Sequence, residues 1–170
     1  MTFTLVRGFA ASLLLATVSA MATGAQAQQT STNQVAAKTD WSVFEDKDPR
    51  ECWAVSTPKE TVNTKDGRVV AVKRGEILFM TFFRPGAGVS GQVAFTGGYP
   101  FANGSTVNLN IGGTQFELFT EGEWAWPSSA ADDTKIIAEL KRGANAVLSA
   151  RSGRGTQTKD SFSLSGYTAA

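Results

Sequence analysis

Histidine is absent from this chain of 170 residues, and cysteine occurs only once, as Cys52. Without histidine there is no Ser-His-Asp or Cys-His catalysis, no histidine general base and no histidine metal ligand. One cysteine can form neither an internal disulfide nor a multi-cysteine metal site. These absences exclude much catalytic and metal chemistry, and we expect a protein that is not an enzyme, with no catalytic residues, no metal and no cofactor.

Cys52 itself permits two interpretations. It stands beside Trp53 in an apparent strand, which favours a buried and inert thiol. In an oxidising compartment the alternative is an exposed thiol that bonds to another chain.

Charge is scarce at the N-terminus, where Arg7 is the only charged residue before Lys38. An apolar run over residues 9–18 follows Arg7, and small residues then lead to Ala25-Gln26-Ala27. A basic start, a short apolar middle and a small-x-small end are typical of a secretory signal peptide. A retained anchor is the alternative, but a membrane span needs about 20 mostly apolar residues. We expect residues 1–27 to be a cleaved signal peptide, and the protein to be periplasmic or secreted with no membrane span after cleavage.

The chain that remains after cleavage is neutral and has the length of one domain. Removing 27 of the 170 residues leaves 143, and removing Arg7 leaves 15 of the 16 basic residues against 15 acidic ones. A neutral balance gives no support for nucleic acid or an anionic membrane surface as a partner. Residues 28–39 are small and polar without periodicity, so they predict a flexible leader before a single domain over residues 40–170.

Short strand-like runs separated by turn signals fill most of residues 40–170. The most apolar run, residues 77–84, predicts a central strand. The polar segment over residues 58–67 carries Asp66-Gly67, which is typical of a tight turn, and the last strand is predicted over residues 161–166. One helix is predicted between Ser129, which begins a capping box, and Gly143, a natural stop. About nine short strands without strand–helix alternation predict a mainly β fold, an antiparallel β-sandwich or barrel with one helix near the C-terminus.

Six blocks span almost all of the chain after residue 27, in this order: DWSVFEDKDPRECWAVS (40–56), RGEILFMTFFRP (74–85), FTGGYPF (95–101), FELFTEGEWAW (116–126), KIIAELKRG (135–143) and RGTQTKDSFSLSGYTAA (154–170). As an ordered set they resemble the bacterial invasion-associated locus B protein family. The resemblance implies an exported envelope protein of compact β-rich fold, associated with bacterial entry into host cells. It supplies no catalytic motif.

Four aromatic residues are the candidate binding residues: Tyr99, Phe101, Trp124 and Trp126. Exposed aromatic side chains anchor interfaces because they bury a large area at low entropic cost. The alternative is that they pack in the core or under loops. Trp124 and Trp126 share one face if their segment is a strand.

Two charged groups are further candidate sites. Carboxylates at positions 121, 123, 132 and 133 lie near the tryptophans, which is the composition of a glycosidase site, but 132 and 133 also suit a helix start. Arg151, Arg154 and Lys159 could bind an anion. The alternative for them is a solvated loop with a local ion pair between Arg154 and Asp160.

Two function hypotheses follow. The first is an exported, non-enzymatic cell-envelope protein, associated by family resemblance with host-cell invasion, that acts through contact with an unknown protein or envelope component. The second is a periplasmic small-ligand or glycan-binding module. The first predicts an exposed apolar patch, and the second predicts a concave pocket with aromatic and polar lining.

Overall fold

Strands make up most of residues 33–170, which are the residues that the computed structural model describes. The predicted signal peptide, its cleavage point and the first part of the predicted leader lie outside the described residues. The helices are α1 (Ala130–Arg142) and two short 3-10 turns (Pro85–Ala87 and Tyr167–Ala169). The strands are β1 (Gln34–Lys38), β2 (Trp41–Lys47), β3 (Arg50–Ser56), β4 (Glu60–Lys65), β5 (Arg68–Val69), β6 (Leu78–Arg84), β7 (Val89–Thr96), β8 (Thr106–Ile111), β9 (Thr114–Glu121), β10 (Trp124–Trp126), β11 (Asn145–Arg151) and β12 (Gln157–Ser163).

The twelve described strands form one antiparallel sheet in the order β1-β2-β3-β6-β7-β10-β9-β8-β11-β12-β4-β5. Its two halves face each other, because Phe162 of β12 packs on Phe79 of β6 and Phe95 of β7, with ring centroids 5.5 and 6.2 Å apart. The sheet has two edges, β1 and β5, and is therefore not a closed barrel. The predicted mainly β antiparallel fold with one helix near the C-terminus is confirmed, with twelve strands rather than about nine.

The start of β2 joins the end of β12, where the folded sheet meets itself. The indole Nε1 of Trp41 donates a hydrogen bond to the Ser163 carbonyl at 3.1 Å, and the Asp40 amide donates to the Ser165 carbonyl at 3.2 Å. The Trp41 ring is buried against Phe79 and Tyr167. The first bond satisfies the N–H of a large buried ring, and the two bonds together close one side of the core.

Helix α1 begins and ends where the sequence predicts. The Ser129 hydroxyl accepts the Asp132 amide at 3.2 Å, as a helix N-cap does. Ile136 and Leu140 point into the core. The helix stops at Gly143, where a Cβ atom would lie 2.6 Å from the Ile111 side chain. Within residues 33–170, no helix is long and apolar enough to cross a membrane.

Two strands, β1 and β4, lie where the sequence predicts none, and β12 begins earlier than predicted. β1 falls inside the predicted leader, because an edge strand gains backbone hydrogen bonds to β2 without needing an apolar pattern. β4 occupies the polar segment before the Asp66-Gly67 turn, where the sequence predicts no strand. β12 begins at Gln157 rather than at 161, because its inward positions include Thr158 and Asp160 and so break the apolar alternation.

Candidate functional site

Aromatic side chains cover part of the outer face of the sheet, on the side away from the core. Along β6, Phe79 and Thr81 are buried in the core side, so Leu78, Met80 and Phe82 point to the opposite face. Register places Phe82 beside Trp53 of β3, and Trp53 beside Phe44 of β2. We call the outward rings of these strands and of β9 and β10 the outer aromatic face: Phe44, Trp53, Phe82, Phe119, Trp124 and Trp126.

The rings of this face stack on one another while remaining partly exposed. Phe44 and Trp53 are parallel, with centroids 5.5 Å apart and an interplanar angle of 9°. Trp53 and Phe82 are 6.5 Å apart. At the rim, the guanidinium of Arg84 lies 4.7 Å above the Phe82 ring and donates to Glu51 at 2.7 Å. The face therefore has an apolar centre and a charged edge.

The other end of the outer aromatic face is formed by two strands. Trp124 and Trp126 stack at 6.4 Å and 21°, and Ala125 between them is buried on the core side. Phe119 pairs with Trp126 across β9 and β10 and is 51% exposed. Between the two ends lie Met80 and Ala94, which are 8% and 1% exposed although neither belongs to the core cluster. The partly exposed rings of this face thus lie on β2, β3, β6, β10 and β9, and buried Met80 and Ala94 lie between its two ends.

A cavity of about 300 Å³ lies elsewhere, at one end of the sheet, and we call it the basic cavity. Its lining side chains come from three separate segments: Lys73 and Arg74 before β6, Tyr99 after β7, and Arg154, Thr156 and Thr158 from the β11–β12 hairpin. The Tyr99 hydroxyl and the Thr158 hydroxyl lie 2.5 Å apart and share a hydrogen bond.

Arg74, which lines the basic cavity, forms an enclosed ion pair with Asp160. Arg74 donates to Asp160 through Nη1 at 2.7 Å and Nη2 at 2.6 Å, and through Nε to the Gly97 carbonyl at 2.8 Å. The side chains are 6% and 0% exposed. Complete burial raises the pKa of Asp160, and the bonds to Arg74 oppose that rise. The guanidinium also lies 5.0 Å from the centre of the Tyr99 ring.

The local ion pair predicted between Arg154 and Asp160 is wrong, because Asp160 turns inward and pairs with Arg74. The basic group of the β11–β12 hairpin is also divided. Arg154 lines the basic cavity, whereas Arg151 and Lys159 line a separate open depression beside β4 and β8.

The aromatic residues predicted as binding residues do not form one group. Trp124 and Trp126 lie on the outer aromatic face. Tyr99 is half-buried in the wall of the basic cavity. Phe101 lies in the core against Phe95, with centroids 6.1 Å apart, as the packing alternative expects.

The four carboxylates whose composition suggests a glycosidase site do not form one group. Three hydrogen bonds, from Ser128, Lys135 and Ser129, lower the pKa of Asp132 to about 2. Asp133 is buried and accepts the Val93 amide at 2.7 Å, and burial raises its pKa. Positions 121 and 123 are exposed around the turn between β9 and β10. Asp132 thus makes the contacts of a helix start, and Asp133 joins the helix to β7.

Cys52 lies on the core side of β3, opposite Phe83. It is half-buried and is a free thiol within the described residues.

The fold is similar to that of a bacterial protein of known structure. The chain superposes on the crystal structure of invasion associated protein B from Bartonella henselae with a TM-score of 0.55 and 15% identity, over 79% of this chain and 91% of that chain. No protein-family model and no curated protein matches the sequence. At this identity the likeness shows the fold and establishes a structural relationship.

Sequence reasoning missed most of the outer aromatic face. The run over residues 77–84 is almost continuously apolar, so it hides which side chains face the core. The polar residue inside that run, Thr81, indicates the wrong face, because it is buried beside Phe79 on the core side and shares a hydrogen bond with the Tyr167 hydroxyl. Lys73 and Arg74 were also missed in the basic cavity, because nothing local links them to a hairpin so far along the chain.

Proposed function

We propose that this chain is an exported, non-enzymatic protein of the bacterial cell envelope that acts through contact with another protein, and that it is associated with host-cell invasion. The outer aromatic face is the observation that carries the proposal. The fold shared with invasion associated protein B from Bartonella henselae supports the association with invasion. The signal-like composition of residues 1–27 supports export.

The outer aromatic face has the composition of a protein interface. Soluble monomers rarely expose large contiguous apolar patches, and aromatic residues are enriched in the centres of protein interfaces, which have polar rims. Helix α1 packs against the core side through Ile136 and Leu140, so it does not cover the outer rings. Trp and Phe side chains held by stacking lose little further entropy on binding, which favours their use as anchors.

Export is tested by fractionating cells that express the full chain and measuring its intact mass. We expect a chain that begins at Gln28, in the periplasm or the medium. A cytoplasmic chain that retains residues 1–27 would overturn this part of the proposal.

Contact is tested by native electrophoresis of gently extracted envelope. We expect the chain to migrate in a complex larger than its own mass, and the double variant Phe119→Ser, Trp124→Ser to migrate as the free chain. Val69→Ser is the matched control, because Val69 is 77% exposed on β5, outside the outer aromatic face. If the double variant and Val69→Ser migrate in the same large complex, and both unfold at the temperature of the parent, the proposal is contradicted.

A periplasmic small-ligand or glycan-binding module is a second candidate function. The basic cavity favours it, since it combines an aromatic ring, hydroxyl groups and cations in a concave site. The two functions use different parts of the molecule, so either can be tested without the other.

A further inference from the structure

We propose that the basic cavity binds a small anion that also carries hydroxyl groups, with the chemistry of a sugar acid or a sugar phosphate. This inference deepens the ligand-binding candidate by naming its ligand class. It does not depend on the outer aromatic face.

The electrostatics of the basic cavity favour an anion. Its charged lining residues are Lys73, Arg74 and Arg154, and none of the lining side chains is acidic. Arg74 is neutralised by Asp160 beneath it, but Lys73 and Arg154 are exposed and form no ion pair with any residue in 33–170. Two uncompensated cations at the mouth of one concave site attract an anionic ligand and repel a cationic one.

Arg74 supplies a preorganised donor. Its guanidinium is held by Asp160 on one edge, by the Gly97 carbonyl at Nε and by the Asn63 side chain at 3.2 Å. The second N–H of Nη2 makes no hydrogen bond to the described residues. A donor fixed by its neighbours loses no side-chain entropy when a ligand oxygen accepts from it, which makes such a bond favourable.

Hydroxyl groups and apolar surface provide the rest of the lining. Thr158 is engaged with Tyr99, and the Ser152 hydroxyl accepts the Thr156 amide at 3.1 Å. The Thr156 hydroxyl makes no hydrogen bond within the described part of the chain, so it is available to a ligand hydroxyl. Val72 and the Tyr99 ring add apolar surface of the kind that packs against the C–H face of a sugar.

The volume of the basic cavity limits the size of the ligand. About 300 Å³ lies at the lower end of the range for ligand sites. It suits a single sugar ring rather than an oligosaccharide.

Isothermal titration of the purified chain tests the inference with four probes: glucuronate, glucose 6-phosphate, glucose and inorganic phosphate. We expect saturable binding of glucuronate or glucose 6-phosphate, at least tenfold tighter than binding of glucose or inorganic phosphate. Which of the two binds tells a carboxylate ligand from a phosphate ligand. The double variant Lys73→Gln, Arg154→Gln should weaken that binding at least tenfold, because it removes both unpaired cations.

The control variant is Lys47→Gln, an exposed lysine at the end of β2 that does not line the basic cavity. It should bind as the parent does. Binding of glucose as tight as that of the anions would overturn the inference and leave the ligand-binding candidate standing. Binding of none of the four probes would overturn both, and equal binding of inorganic phosphate would reduce the site to an unspecific anion site.

Discussion

Arg74 and Asp160 form a bidentate ion pair across the fold, although they lie 86 residues apart in the sequence. The pair joins the segment before β6 to the inward face of β12. Through Nε, Arg74 also holds the Gly97 carbonyl, so one guanidinium ties together the segments that build the basic cavity.

Breaking this pair is expected to destabilise the fold strongly. Arg74→Met leaves the Asp160 carboxylate buried and unpaired, which costs about 3–5 kcal/mol of unfolding free energy. Urea unfolding measures the loss. The double variant Arg74→Met, Asp160→Leu should lose less than Arg74→Met alone, because no buried charge remains.

The control for the ion pair is Arg84→Met. The pair of Arg84 with Glu51 is partly exposed, so its loss should cost no more than about 1 kcal/mol. A loss at Arg74 no larger than that at Arg84 would contradict the structural role given to the enclosed pair.

Gly98 is expected to tolerate no side chain. It has φ +71°, and a Cβ atom would lie 2.6 Å from the Gly75 carbonyl oxygen, beside the bond from the Gly75 amide to the Gly98 carbonyl. Gly98→Ala should therefore cost more than the roughly 1–2 kcal/mol of left-handed strain alone. Gly122→Ala is the control, with φ +59° and open space around its Cβ position. An equal drop in melting temperature in Gly98→Ala and Gly122→Ala would show that the close approach of Gly98 to Gly75 is unimportant.

Asp133 is expected to stabilise the contact between α1 and β7 through its bond to the Val93 amide. Asp133→Ala leaves that buried N–H without a partner, at a cost of about 1–3 kcal/mol. Asp133→Asn keeps an acceptor oxygen and should lose less. Denaturant unfolding compares the two variants, and faster hydrogen exchange of the Val93 amide should accompany only the alanine. Similar losses in both would argue against the hydrogen bond.

Asp132 is expected to make stability depend on pH under acidic conditions. Its hydrogen bonds lower its pKa from 3.8 to about 2 in the folded chain. The ionised side chain therefore stabilises the fold above pH 4, and this contribution is lost as the pH falls through 3.8 toward 2. The difference in unfolding free energy between the parent and Asp132→Asn should shrink over that interval. Glu60→Gln, at an exposed position at the start of β4, is the control. A difference between the parent and Asp132→Asn that stays constant with pH would contradict the assignment.

Local sequence signals predicted the elements whose cause is local. The hydroxyl of Ser129 and the small Gly143 set the ends of α1, and the apolar run over residues 77–84 gave β6. β12 was shortened in the prediction because Asp160 occupies an inward position, and its partner Arg74 comes from a distant segment. A charged residue is expected at the surface, because charges are rarely buried without a partner, and the local sequence does not show the partner.

The candidate site was predictable in composition but not in arrangement. Aromatic residues could be nominated, but Phe101 turns into the core beside its bridge to Ser152, while Trp124 and Trp126 face outward. Which side of a strand faces the core is decided by the strands it pairs with. When both faces of a strand are apolar, the sequence does not show which face lies in the core, because the elements that cover that face are distant in the chain.

The outer aromatic face as a contact surface is the central claim, and site-specific photo-crosslinking in living cells tests it most directly. A photoreactive phenylalanine would replace Trp53, Phe82 or Trp124 in turn, with exposed Asn108 and Gln115 of β8 and β9 as control positions. We predict that the positions on the face give crosslinked products with one and the same protein, and that the control positions give none. No product from the face, or the same product in equal yield from the controls, would contradict the claim.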